Sequence, residues 1–234
     1  MNNHSVQIFL VKFKNEISFH EIPLLRGAIL GALGEKAELL FHNHVDETTF
    51  RYSYPLIQYK RIKKKAAVFC IDKGVETIGQ FLALQDFEVS LGNRAVKLEI
   101  ESILPKRALI QIWDSTFRYR VRKWLALNSE NYQKYMELDE CTARIAYLER
   151  MLIGNLLSFA KGIGLSLEKE LVCKLISLEE PTLISAKGVK MMAFDAEFKS
   201  NLSLPDYMGI GKHVSLGFGT VVRVYNENNE KQQR

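Results

Sequence analysis

Gly209-Ile210-Gly211-Lys212-His213-Val214-Ser215-Leu216-Gly217-Phe218-Gly219 gathers four of the chain's 14 glycines into eleven residues. Glycine accepts positive φ and lets other groups come close to the main chain. Successive N–H groups in such a segment can form an anion-binding concavity, and Lys212 and His213 lie inside it. The segment runs into Thr220-Val221-Val222-Arg223-Val224-Tyr225, a β-branched and aromatic strand signal. The familiar nucleotide loops feed helices instead. The dinucleotide fingerprint fails because no helix follows and the spacing from Gly211 to Gly217 is wrong, and the Walker loop fails because His213 follows Gly211-Lys212. A flexible hairpin turn is the plain alternative. The remaining pattern is Gly-hydrophobic-Gly, five residues including a lysine, then Gly-hydrophobic-Gly.

Working outward, the first half predicts strand, helix, strand, strand, helix, strand. Residues 6–13 are rich in β-formers, and Pro23 marks the first turn of a helix carrying Leu25, Ile29, Leu33, Leu39 and Leu40. Strands are expected over 50–59 and 65–71, a helix over 74–84, and strand material over 86–90 and 95–103. This βαββαβ order is the ferredoxin-like unit. Pro105-Lys106-Arg107 suggests a boundary, giving an N-terminal domain over 1–104 and a C-terminal domain over 105–234. Beyond it come strands over 109–113 and 117–121, and a helical stretch over 129–161 restarted at Asp139. That stretch carries a stripe of Leu138, Cys141, Ile145, Leu148, Leu152, Leu156 and Phe159. Strands over 171–176, 183–185 and 190–199 follow. The fold class expected is α+β, with two tandem ferredoxin-like domains and a C-terminal glycine-rich loop.

The four glycines, with Ile210 and Phe218 between them, resemble the glycine-rich loop of the RAMP superfamily, specifically the CRISPR endoribonucleases that cut repeat RNA into guide RNAs. Leu25-Arg26-Gly27-Ala28 resembles that family's first helix, and Tyr54-Pro55-Leu56-Ile57-Gln58-Tyr59-Lys60 its second strand. Trp124-Leu125-Ala126-Leu127-Asn128 before a long helix is similar too. The likeness touches both ends and the middle of the chain.

Composition agrees with a globular protein: 234 residues, 47% hydrophobic, with no apolar run long enough to span a membrane. Met1-Asn2-Asn3-His4 shows no export signal, and Cys70, Cys141 and Cys173 read as buried thiols of a reducing cytoplasm. Net charge is +5, but its distribution says more. Lys60-Arg61-Ile62-Lys63-Lys64-Lys65 reads as a solvated hairpin tip or a phosphate-binding cluster. As a strand, Arg118-Tyr119-Arg120-Val121-Arg122-Lys123 puts Phe117, Tyr119 and Val121 on one face and three arginines on the other. A helix with Phe117, Val121 and Trp124 inward stays open. Clustered cations release counterions on meeting phosphates, so a nucleic acid is the natural partner.

Histidine is the side chain best suited to exchange protons near neutral pH. His42-Asn43-His44 follows the first helix, and in an extended segment both imidazoles project to one side. A polar loop is the plain alternative, and a metal pair with Asp46 and Glu47 is another, although a full catalytic metal site usually needs three protein ligands. His4 is expected in a loose terminus, and His20 to cap or pack at the helix start.

The resemblance implies a catalytic histidine after the first helix, which falls at His44 or His42, with Tyr52 or Tyr54 as supporting hydroxyl. It also implies an RNA-binding surface of Lys60, Arg118, Arg120, Arg122, Lys123, Gly209, Gly211, Lys212, His213, Gly217 and Gly219. The substrate implied is CRISPR repeat RNA, cut without metal or other cofactor by attack of a 2′-OH. Other partners implied are effector-complex subunits, with the chain a monomer or homodimer. The alternatives are a non-catalytic RAMP subunit that clamps guide RNA, and a ferredoxin-like RNA-binding protein unrelated to CRISPR.

Overall fold

In the computed structural model the protein is described over residues 4–33, 44–46, 49–50, 54–84, 87–186 and 189–225. A four-stranded and a five-stranded antiparallel sheet organise it. The first unit runs β1 (His4–Glu16), α1 (Ile22–Leu33), the ribbon β2 (His44–Asp46) and β3 (Thr49–Phe50), then β4 (Ile57–Ile62), β5 (Lys65–Ile71) and α2 (Lys73–Leu82). A second ribbon, β6 (Glu88–Leu91) and β7 (Arg94–Lys97), precedes β8 (Ile100–Ile110). The sheet order β4-β5-β1-β8 is that of a ferredoxin-like unit.

The second unit runs β9 (Ile112–Trp124), α3 (Ser129–Met136), α4 (Cys141–Gly162), β10 (Cys173–Leu178), β11 (Thr182–Ala186), β12 (Val189–Leu202) and β13 (Thr220–Arg223). Its order, β10-β12-β9-β13, repeats the first, with β11 paired to β12 as an extra arm. Where the first unit has α2 between its third and fourth strands, the second has the glycine-rich segment and only a short 3₁₀ turn, Val214–Leu216. No helix of the described residues is long and apolar enough to cross a membrane.

Local chemistry explains several element ends. At the entry to α1 a capping box joins Ser18 and Glu21, with the Ser18 N–H donating to Glu21 Oε2 at 2.7 Å. Asn128 caps α3 by accepting from Asn131 N–H at 2.6 Å. The β4–β5 hairpin turns on Lys63 (φ 49°) and Lys64 (φ 70°), both in the left-handed region that a two-residue type I′ connection demands.

Two expectations shift. Pro105 does not mark a boundary: it lies within β8, paired with Phe9, and the chain passes to the second sheet at Gln111. Proline is tolerated there because, among the described residues, β8 is an edge strand with no neighbour on its outer side to receive an N–H. Among the cysteines, Cys70 and Cys173 are buried, but Cys141 opens α4 in the solvent.

One core joins the two units. Val6, Ile8, Leu10, Phe69 and Ile71 on one face of the first sheet pack with Tyr119, Val121, Leu148, Leu152, Leu156, Phe159 and Phe198 of the second unit. The opposite face of the first sheet, with Val11, Phe13, Val68 and Cys70, is covered by α1 and α2 through Ile22, Leu25, Ile29, Ile78 and Phe81. This is why β5 is apolar almost throughout rather than alternating: both of its faces are buried. The shared core sets the two sheets against each other, and one segment is wedged between β4 and the end of β9.

Candidate functional site

That wedge is the glycine-rich segment. It turns through Tyr207 (φ 71°), pairs Gly209 with Thr220, and closes on itself where Ile210 N–H donates to Gly219 O at 2.9 Å. Lys212 N–H donates to Leu125 O and Gly219 N–H to Lys123 O, each at 3.0 Å, which ties the segment to the end of β9. Met208, Ile210, Val214, Leu216 and Phe218 are all buried. Phe218 meets Phe19 edge to face at 4.9 Å, so the tip docks on the entry to α1.

The glycines are needed for this packing. A Cβ on Gly219 would lie 1.8 Å from Ile210 O, and its φ of 61° is unfavourable for other residues. A Cβ on Gly211 would lie 2.7 Å from Leu125 O. The expected anion cradle is thus corrected. The N–H groups of Ile210, Lys212, Leu216, Gly217 and Gly219 donate to carbonyls of the protein, and Gly209, Gly217 and Gly219 are buried. Of the segment, Lys212 is exposed, and Gly211, His213 and Ser215 are half-buried.

Polar side chains of β4 and the residues before it support the segment from below. Tyr54 donates its hydroxyl to Gly209 O at 2.8 Å and accepts from Gln58 Nε2 at 2.8 Å. Lys60, expected on a basic surface, is 1% exposed. Its Nζ donates to Thr220 Oγ1 at 3.3 Å, and Thr220 in turn donates to Gly217 O at 3.1 Å. Burial lowers the Lys60 ammonium to about 7 and pushes the Tyr54 phenol well above its ordinary value. Lys60 and Tyr54 are therefore enclosed beneath the segment rather than on the surface. The side chains of the hairpin tip beyond them, Lys63 and Lys64, are exposed.

β9 is a strand, and its alternation is as expected. Tyr119 and Val121 are buried, while Arg118, Arg120 and Arg122 line the outer face. The sequence did not reveal their partners. Arg118 and Arg120 both hold Glu197 of β12, with Nε–Oε distances of 2.8 and 2.9 Å. Arg122 holds Asp195 at 2.7 Å and reaches Glu179 at 3.3 Å. Bonds from Arg120 and Arg118 keep the Glu197 carboxyl below the usual carboxylate range. Three guanidiniums thus face three carboxylates, so the stripe is an ion-pair ladder whose outer edges meet solvent. Lys123 departs from the stripe at a bulge (φ 50°) and lays its ammonium 3.6 Å from the centre of the Phe19 ring.

Of the histidine segment, the structure describes only the backbone of His44, paired with Phe50 in the β2–β3 ribbon. His42 and Tyr52 lie outside the described residues. His4 is not in a loose end but opens β1, opposite Ile110. His20 is exposed in the turn before α1, where Ser18 and Glu21 do the capping. Among the described residues no three His, Cys, Asp or Glu side chains converge as a metal site. Sequence reasoning missed Gln58, Thr220, Asp195 and Glu197. The two acids, two apart on a strand, carried a signal only if β12 was known to lie beside β9.

The comparisons agree with this architecture. The family models of the N-terminal and C-terminal domains of Cas6b match residues 4–108 and 111–224. A solved structure described as Cas6b is 30% identical, with 94% of this chain and 100% of that chain covered and a TM-score of 0.85. A second, described as a CRISPR RNA processing endoribonuclease Cas6b, is 27% identical over 94% of this chain and 100% of that chain, with a TM-score of 0.72. An uncharacterised protein of Methanocaldococcus jannaschii is 39% identical over 112 residues, covering 47% of this chain and 75% of that protein. With both halves matched and the same paired sheets, the chain belongs to the Cas6b family of CRISPR-associated RAMP proteins.

Proposed function

We propose that this protein is an endoribonuclease that cuts CRISPR repeat RNA into guide RNA, by acid–base chemistry without a metal ion. The observation that carries the reading is the likeness along nearly the whole chain to a Cas6b described as a CRISPR RNA processing endoribonuclease. The position of His42 and His44 between α1 and β4 adds the chemistry.

One imidazole takes the proton of a 2′-OH as its oxygen attacks the adjacent phosphorus, and the P–O5′ bond breaks. The second group gives a proton to the departing 5′-oxygen. The products are a 2′,3′-cyclic phosphate and a 5′-hydroxyl end. His44 and His42 fill these roles, with Tyr52 as supporting hydroxyl. Tyr54 is not carried forward, because its buried hydroxyl already serves Gly209 and Gln58. Each acid–base group typically contributes about 10²–10⁴-fold. The RNA lies against Lys212 and the outer edges of Arg118, Arg120 and Arg122, where cationic groups offset phosphate charge.

Single-turnover cleavage of a labelled repeat RNA tests the reading. A deoxy sugar at the cut site should stop cleavage and leave binding nearly intact, and EDTA should have little effect. His42→Ala and His44→Ala should slow cleavage far more than they weaken binding. Retention of the RNA without any cleavage by the wild type would instead make the protein a non-catalytic clamp.

A further inference from the structure

The face of the second sheet opposite the arginine ladder carries an aromatic and guanidinium stack at its open end. Trp113 and Phe117 of β9 meet edge to face at 6.0 Å. The Arg223 guanidinium, from β13, lies 4.3 Å from the centre of the Phe117 ring and 5.3 Å from that of Tyr225. Trp113 is 38% and Tyr225 54% exposed, so the stack ends in solvent on both sides. Trp113 also lines a cleft of about 270 Å³, with Gln111, Leu167 and Lys169 among the other lining residues.

Two features separate this stack from ordinary core packing. First, Arg118, Arg120 and Arg122 all hold carboxylates, whereas the Arg223 guanidinium has no ion-pair partner among the described residues. Its backbone N–H, not its side chain, is what Asp206 accepts from. Second, a cation–ring pair recurs nearer the first sheet: Lys12 of β1 sets its Nζ 5.9 Å from the centre of the Tyr207 ring. Open rings beside a guanidinium without an ion pair suit a polymer of flat bases joined by phosphates. Every base has a π-face, so such stacking tolerates any sequence, and arginine adds cation–π attraction. An apolar protein partner would leave the guanidinium charge unmatched.

We propose that Trp113, Phe117, Arg223 and Tyr225 form a stacking platform for unpaired nucleotides. Bases lie on the Trp113 and Tyr225 rings, and Arg223 faces the phosphate between them. The platform rests on the reading of the protein as an RNA binder and places a single-stranded segment on the sheet face away from the ladder.

The chain has two tryptophans, and Trp124 is fully buried, so Trp113 is the one that a base can reach. Titrating hexa-adenylate should quench its fluorescence in the wild type. In Trp113→Phe the quench should vanish, and in Tyr225→Ala affinity should fall about tenfold. Tyr225 is at the exposed end of the stack, so its loss leaves the fold intact, as circular dichroism should confirm. Equal affinity of wild type and Tyr225→Ala, together with an unquenched Trp113, would overturn the platform. So would a dimer in sedimentation that Tyr225→Ala dissolves while hexa-adenylate has no effect. Cleavage of repeat RNA is read separately: its absence would sink the nuclease, not the platform.

Discussion

Tyr54 and Gly209, 155 residues apart, are joined by a 2.8 Å hydrogen bond from the phenol to the glycine carbonyl. The bond crosses from the first unit to the second and fixes the start of the glycine-rich segment. Tyr54 is itself clamped, with its ring 5.1 Å from that of Phe159 and no room between its Cβ and Gly162 for a further carbon. Tyr54→Phe keeps that packing but leaves the Gly209 carbonyl and Gln58 amide without their shared partner. A loss of about 1–3 kcal/mol in urea unfolding is expected, with the pH profile of cleavage unchanged. A shifted pH profile would return Tyr54 to the catalytic machinery.

Glycines in this chain separate into those that packing requires and those that it does not. Gly219→Ala places a methyl on Ile210 O at a φ that disfavours it, and should lower thermal stability severely. Gly154→Ala, on the exposed side of α4, has open space around the new carbon and should stabilise by about 0.5–1 kcal/mol. Similar melting temperatures for the two variants would contradict the wedge.

Lys60 makes stability depend on pH in a definite direction. Its proton affinity is about 7 in the fold against an ordinary 10.5 in the unfolded chain. Below pH 7 both states hold the proton, and the burial cost is present in full. From pH 7 to 10.5 the unfolded chain binds more protons, so stability rises with pH. Lys60→Met should flatten that rise and stabilise the protein at pH 6, by at most about 5 kcal/mol. Chemical denaturation at pH 6, 8 and 10 reads it; an unchanged slope would mean that another group is responsible.

The reach of the sequence is clear at particular residues. The ferredoxin-like order and the inward set Tyr119 and Val121 were legible because alternation and turn chemistry are local. Lys60 misled because β4 is covered on both faces, by α1 on one and by the glycine-rich segment on the other, so alternation could not tell its environment. The glycine pattern pointed to the family but not to its use: whether N–H groups face solvent depends on carbonyls such as Leu125 O and Lys123 O, far off in sequence. The arginine stripe was seen without its acids for the same reason, since Glu197 comes 79 residues after Arg118.

Those acids supply a test of which sheet face meets the phosphates. Glu197 holds two guanidiniums, and Glu197→Gln keeps its shape while removing the charge that engages them. If the outer edges of Arg118 and Arg120 contact RNA, the variant should bind repeat RNA more tightly at low salt. Its plot of log affinity against log salt should also steepen, by about 0.7 for each phosphate newly contacted on a single strand. Arg120→Ala should do the reverse, losing affinity at every repeat sequence alike, because a phosphate contact carries no base information. An identical salt slope in wild type, Glu197→Gln and Arg120→Ala would show that the ladder only braces β9 against β12, and that RNA approaches from elsewhere.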